Sequence, residues 1–105
     1  MARFTVNDVF GRVVVGPFSA WDHILQRHPE MADKEDLVKD TITAPVTVHE
    51  TSDAARRLFR GKTITDGFWK GSFACVIIEY DKADVGYVRT AYLATLEPRG
   101  KVLWP

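Results

Sequence analysis

The chain opens with two short apolar segments. RFTVN and RVVVG, two short β-branched segments, lie around the stretch from Asn7 to Gly11, which predicts a hairpin ended by Gly16-Pro17. The pattern then changes. In SAWDHILQRHPE, Trp21, Ile24 and Leu25 recur at helical spacing, Ser19 offers an N-cap with Asp22 three residues on, and Pro29 stops the run. A helix is therefore predicted from about Ala20 to Arg27 or His28. A second helix is predicted after Asp33, with Asp36 three residues later, Leu37, Val38 and Ile42 on one face, and an end before Pro45. Beyond Pro45 the pattern reads as sheet: VTVHE, RRLFRGK, SFACVIIEY and VGYVRTAYLATL, the last two joined by the polar DKAD turn. SDAARRLF reads two ways, as a helix capped by Asp53 or as the start of the alternating RLFRGKTI, and the strand is taken. The polar stretch from His49 to Gly71 is expected to be partly loop. The predicted fold class is α+β: an N-terminal hairpin and two helices packed on a mainly antiparallel four-stranded sheet, over residues 1–105 as one domain.

Composition narrows the function classes. At 105 residues and 11.9 kDa the chain is too small to hide an internal reaction chamber, so chemistry belongs on an open face or in a shallow cleft. Its hydrophobic share of 46% and mean hydropathy of -0.14 are those of a globular protein. No apolar run approaches the ~18 residues of a membrane span, and the first twenty residues lack the pattern of a signal peptide. The expectation is a cytoplasmic protein without a membrane partner. The single cysteine, Cys75, cannot form an internal disulfide and reads as a buried strand thiol before it reads as a nucleophile. Formal net charge is zero, which disfavours strong nonspecific nucleic-acid binding. The distribution is uneven, because Arg56, Arg57, Arg60, Lys62 and Lys70 are opposed between positions 54 and 73 by Asp66 alone. A local basic patch is expected there.

Two segments carry candidate chemistry. On the first helix His23 and Arg27, four residues apart, share a face, and His28 sits on the adjoining one, at the negative end of the helix dipole that suits a proton donor. Histidine at a helix end is also a common stop signal, and two histidines without a third ligand do not make a metal site. In the strand YVRTAYLAT, Thr90 and Tyr92 share one face and Arg89, Ala91 and Leu93 the other. Thr90 and Tyr92 read either as strand packing or as a hydroxyl pair with a task. Phe68 and Trp69 beside Lys70 read either as core aromatics or as a stacking surface for a base. The acids of DKED at 33–36 read as helix-cap charges, and no carboxylate cluster suggests two-metal hydrolysis.

In their order, DVFGRVVV, WDHILQRHPE, APVTV, an Arg-rich strand, VIIEY, VRTAYLAT and a closing GKVLW resemble the phage-associated branch of the barnase, EndoU, colicin and RelE-like nuclease superfamily. The resemblance runs from about Asp8 to Trp104. Its most specific pieces are His-Ile followed by Arg-His-Pro-Glu, and Thr-Ala-Tyr. It implies a small α+β fold whose sheet and first helix form an RNA-cleaving face that uses no metal or cofactor. His23, Arg27 and His28 match the helix motif, Thr90 and Tyr92 the last-strand motif, and Arg60, with Arg57 next, the basic strand position. Arg27, Arg56, Arg57, Lys62, Lys70 and Arg89 are the candidate substrate contacts. The function expected is a metal-independent endoribonuclease, toxin- or phage-associated, in which the 2′-hydroxyl attacks the adjacent phosphate. Its candidate partners are RNA and a cognate antitoxin or immunity protein. The rival reading is a non-catalytic protein-binding module that keeps the nuclease-like fold.

Overall fold

The computed structural model describes residues 1–105. Strands β1 (Ala2–Asn7) and β2 (Val13–Pro17) form the N-terminal hairpin, in antiparallel register from Phe4↔Gly16 to Asn7↔Val13. Helix α1 (Phe18–Arg27), a 3-10 turn (Pro29–Met31) and helix α2 (Glu35–Thr43) follow. The remainder is sheet: β3 (Thr47–Glu50), β4 (Arg56–Thr63), β5 (Phe73–Tyr80), β6 (Gly86–Ala94) and β7 (Val102–Trp104). No helix is long and apolar enough to cross a membrane.

The expected four-stranded, mainly antiparallel sheet is not what forms. All seven strands join one mixed sheet in the order β1-β2-β6-β5-β4-β3-β7. The hairpin is part of it because β2 lies parallel to β6 at Val14↔Gly86 and Val15↔Tyr87. Gly86 permits that junction, since a Cβ there would run into Val14, Ile78 and Tyr80. At the far side, the three residues of β7 extend the sheet beyond β3.

Both expected capping boxes are also replaced. α1 begins one residue before Ser19, with Pro17 as N-cap at φ -64 and ψ 148 and no side-chain cap bond. The proline ring fixes the φ at which strand turns into helix, and the Phe18 N–H donates to the Met1 carbonyl at 3.3 Å. α2 starts at Glu35 after Lys34, and Glu35 and Asp36 supply the negative charge of its first turn. The predicted stop holds: the His28 N–H bonds the Ile24 carbonyl, and Pro29 opens the 3-10 turn.

Both helices pack on one face of the sheet. Trp21 and Ile24 of α1, Met31, and Val38 and Ile42 of α2 meet Val48, Phe59, Val76, Ile78, Val88 and Ala91 in a buried core. Gly61 lets α2 approach β4 closely, because a Cβ there would strike Thr41. Leu58 and Arg60 of β4, Cys75 and Ile77 of β5, and Thr90 and Tyr92 of β6 are cross-strand partners on the opposite, open face. One extra residue in β6, Arg89, separates the pairs Ile77↔Thr90 and Ile78↔Val88. This bulge keeps Val88 and Ala91 on the core side and turns Arg89 out to solvent.

Candidate active site

The β2–β6 pairing ends at Tyr87, so the rest of that edge of β6 is left to α1 and the 3-10 turn. There the His28 ring lies 5.7 Å, centroid to centroid, from the Tyr92 ring at 37°. Both side chains are partly open, and His28 Nδ1 is 3.7 Å from Glu30 Oε2. Burial, and then the neighbouring Cys75, raise the Tyr92 phenol above its ordinary range, so at neutral pH it keeps its proton. Cys75 is the cross-strand partner of Tyr92 and is buried. Burial pushes its thiol up to about 11, which rules out a reactive thiolate near neutrality.

Arg60 is the next residue in this row, paired with Cys75 on the other side. Two strand spacings put its backbone roughly 10 Å from that of Tyr92. Its side chain is already engaged. Nε donates to Glu97 Oε1 at 3.1 Å and Nη2 to Glu97 Oε2 at 2.7 Å, while Nη1 donates to the Gly61 carbonyl at 2.7 Å. The guanidinium also covers the Phe73 ring at 3.8 Å. In return, the Arg60 hydrogen bond holds the Glu97 carboxyl below the usual carboxylate range. Arg60 is therefore a strut under the β6–β7 connection rather than a free cation. That connection bounds a cleft of about 380 Å³ over the open face, whose sheet wall is Leu58, Cys75, Ile77 and Tyr92.

The other candidates scatter. His23 is exposed in the middle of α1, in a separate cleft of about 370 Å³ that it shares with Tyr87 and Arg89. Thr90 lies one place up the open face from Tyr92, opposite Ile77. Arg27 is exposed and has no carboxylate partner. Arg56 is bound to Glu79 at 2.8 Å and faces Asp53 at 3.6 Å. Arg57 points to the core side, one residue from Arg56 and three from Arg60. Lys62 borders a small hollow beside α2 with Leu37, Asp40, Thr41 and Ala44. Lys70 is exposed in the loop between Gly67 and Gly71, both at positive φ. In that loop Phe68 is 89% exposed, stands edge-on to Trp69 at 4.9 Å, and Lys34 Nζ lies 5.7 Å over the Trp69 ring. The basic excess of this segment is thus partly cancelled by Glu79 and Glu97 from later strands and loops.

Two functional-looking residues escape sequence reasoning. Glu97 carries no signal, because its partner is 37 residues away. Asp8 is only 5% exposed: its Oδ1 accepts from the Phe10 and Arg12 N–H groups at 2.8 Å each, and its Oδ2 from the Tyr80 hydroxyl at 2.6 Å. Asp at the head of a Gly-containing turn is a recognisable Asx signal, whereas the Tyr80 contact is not local. No three His, Cys, Asp or Glu side chains come together in a metal-binding arrangement. Comparison of the chain with protein-family models, with curated proteins and with solved structures finds no match.

Proposed function

We propose that this protein is a metal-independent endoribonuclease whose reacting groups are His28 and Tyr92. The observation that carries the reading is the pairing of a part-exposed imidazole with a still-protonated phenol at an open sheet edge, with the exposed Arg27 next to His28 in the chain. It rests on that arrangement and not on the fold, since the seven-stranded mixed sheet is not the four-stranded one that was expected.

In the proposed step His28 takes the proton from the ribose 2′-hydroxyl, and the 2′-oxygen forms a bond to the adjacent phosphorus. The bond from phosphorus to the 5′-oxygen breaks, and Tyr92 delivers a proton to that oxygen. Arg27 offsets the charge gathering on the phosphate, and Glu30 orients the imidazole. Cys75, the cross-strand partner of Tyr92, holds the phenol in place. His23, in its own cleft, takes no part. Phe68 offers a face on which a flanking base stacks, with Lys70 beside it for a phosphate. The reading carries with it a cytoplasmic location and a protein inhibitor, an antitoxin or immunity protein, that protects the host's RNA.

Total and transfer RNA incubated with the purified protein in EDTA test it. Cleavage should leave 2′,3′-cyclic phosphate ends, an all-deoxy strand should be inert, and His28→Ala should lower the rate by about 10²-fold or more with near-UV circular dichroism unchanged. Cleavage of DNA, a requirement for Mg²⁺, or an equally active His28→Ala variant would overturn the assignment.

A further inference from the structure

Four of the eight arginines are at least partly withdrawn from solvent: Arg12, Arg56, Arg57 and Arg60. Arg56 and Arg60, on the open face, each grip a carboxylate. Arg12 and Arg57, at the other side of the sheet, have none within ion-pair distance. These two line one cleft of about 230 Å³ together with Phe10 and Leu103. Arg12 is held over the rings of Tyr80, at 5.2 Å, and Phe10, at 5.7 Å.

The carboxylate buried in this corner forms an ion pair with neither of them. Asp8 spends Oδ1 on the Phe10 and Arg12 backbone and Oδ2 on the Tyr80 hydroxyl. Glu50, the cross-strand partner of Arg57, is exposed and forms no ion pair with it. The corner therefore keeps two guanidinium groups against one internally satisfied carboxylate. Part-buried guanidinium groups ordinarily find an anion, and two forks on one cleft suit the several oxygens of a phosphate. Beside them the Phe10 ring is 39% exposed, with its edge set against Phe59.

We propose that the Arg12–Arg57 cleft is a binding site for a phosphate monoester carrying a planar group, of the nucleoside monophosphate class. The phosphate sits between the two guanidinium groups, and the planar group lies against Phe10 and Leu103. The site is on the face of the sheet opposite Tyr92 and stands whether or not the protein cleaves RNA.

Calorimetric titration of the full chain with inorganic phosphate, a nucleoside 5′-monophosphate, the unphosphorylated nucleoside and a short all-deoxy oligonucleotide tests it. The monophosphate should bind more tightly than inorganic phosphate, and the nucleoside should bind weakly or not at all. Arg57→Met should weaken the monophosphate by about tenfold or more, and Arg57→Lys, which keeps charge and stem but loses the fork, by less. Phe10→Leu should weaken the monophosphate and leave inorganic phosphate unchanged. Unchanged binding in both Arg57→Met and Arg12→Met would overturn the site, as would a nucleoside as tight as its monophosphate. Binding confined to the oligonucleotide would reduce the cleft to a basic surface for polyanions, and no binding of any probe would dismiss it.

Discussion

Asp8 shows how much one side chain can organise. Its carboxylate closes the β1–β2 turn through two backbone N–H groups and fastens that turn to the end of β5 through Tyr80. The same bond, after burial, raises the Tyr80 phenol above its ordinary range, so the hydroxyl stays a donor. Removing the buried carboxylate leaves three part-buried donors without their acceptor. Asp8→Ala should therefore cost about 3 kcal/mol, read as a lower urea midpoint with an unchanged slope, and Tyr80→Phe should cost less because it deletes one bond and strands no backbone group. Cys75 offers a second test. With the thiol shifted from 9.0 unfolded to about 11 folded, the native state holds its proton where the unfolded chain has lost it. Stability from this group is fully present below pH 9 and declines as pH rises toward 11. Cys75→Ala should flatten that decline, and in the native wild type the thiol should react with a disulfide reagent at pH 8 far more slowly than after denaturation.

At the scale of elements, the β6–β7 connection is tied across the open face by the Arg60–Glu97 fork, by His49 Nδ1 with the Gly100 carbonyl at 2.9 Å, and by the Glu50 N–H donating to the Lys101 carbonyl at 2.9 Å. Glu97 itself is exposed and its carboxyl is held low, so the tie is intact at neutral pH and is lost as pH falls through that lowered value. An exposed acid contributes little to global stability. Glu97→Gln should leave the melting midpoint nearly unchanged and speed hydrogen exchange at Glu50, and acid should do the same to the wild type only. Several elements are legible in the residue pattern alone. β-branched segments on either side of Asn7–Gly11 announce the hairpin, and Trp21 and Ile24 ahead of Pro29 announce α1. Period two, once β4 is accepted, already puts Arg57 and Arg60 on opposite faces. What the pattern does not carry is non-local. Three residues of β7 are too few to show a period, the parallel β2–β6 junction depends on elements about 70 residues apart, and Pro17 rather than Ser19 stands at the N-cap because β2 runs directly into α1. His28 and Tyr92 stand out as separate motifs. Their meeting depends on how little of β6 is covered by β2.

The whole molecule carries fourteen basic and fourteen acidic residues, and the sheet decides which of the basic ones remain available. Arg56 and Arg60 are neutralised by Glu79 and Glu97, and Arg57 lies on the far side of the sheet from Tyr92. Arg27, next to His28 in the chain, and Lys70, in the Phe68 loop, have no carboxylate partners, and they are the two phosphate contacts of the proposed site. Counting the five basic residues between 54 and 73 as phosphate contacts would imply a steep loss of RNA binding with salt. Two contacts imply a shallow one: the slope of log kcat/KM against log salt for a single-stranded substrate should be about -1.4. Arg27→Ala should bring it close to about -0.7, whereas Arg57→Met should leave it unchanged, because that arginine belongs to the opposite face. A slope of about -3 or steeper that Arg57→Met relieves would mean that the strand wraps from the His28 edge around to the Arg12–Arg57 cleft, and that the two faces act on one RNA.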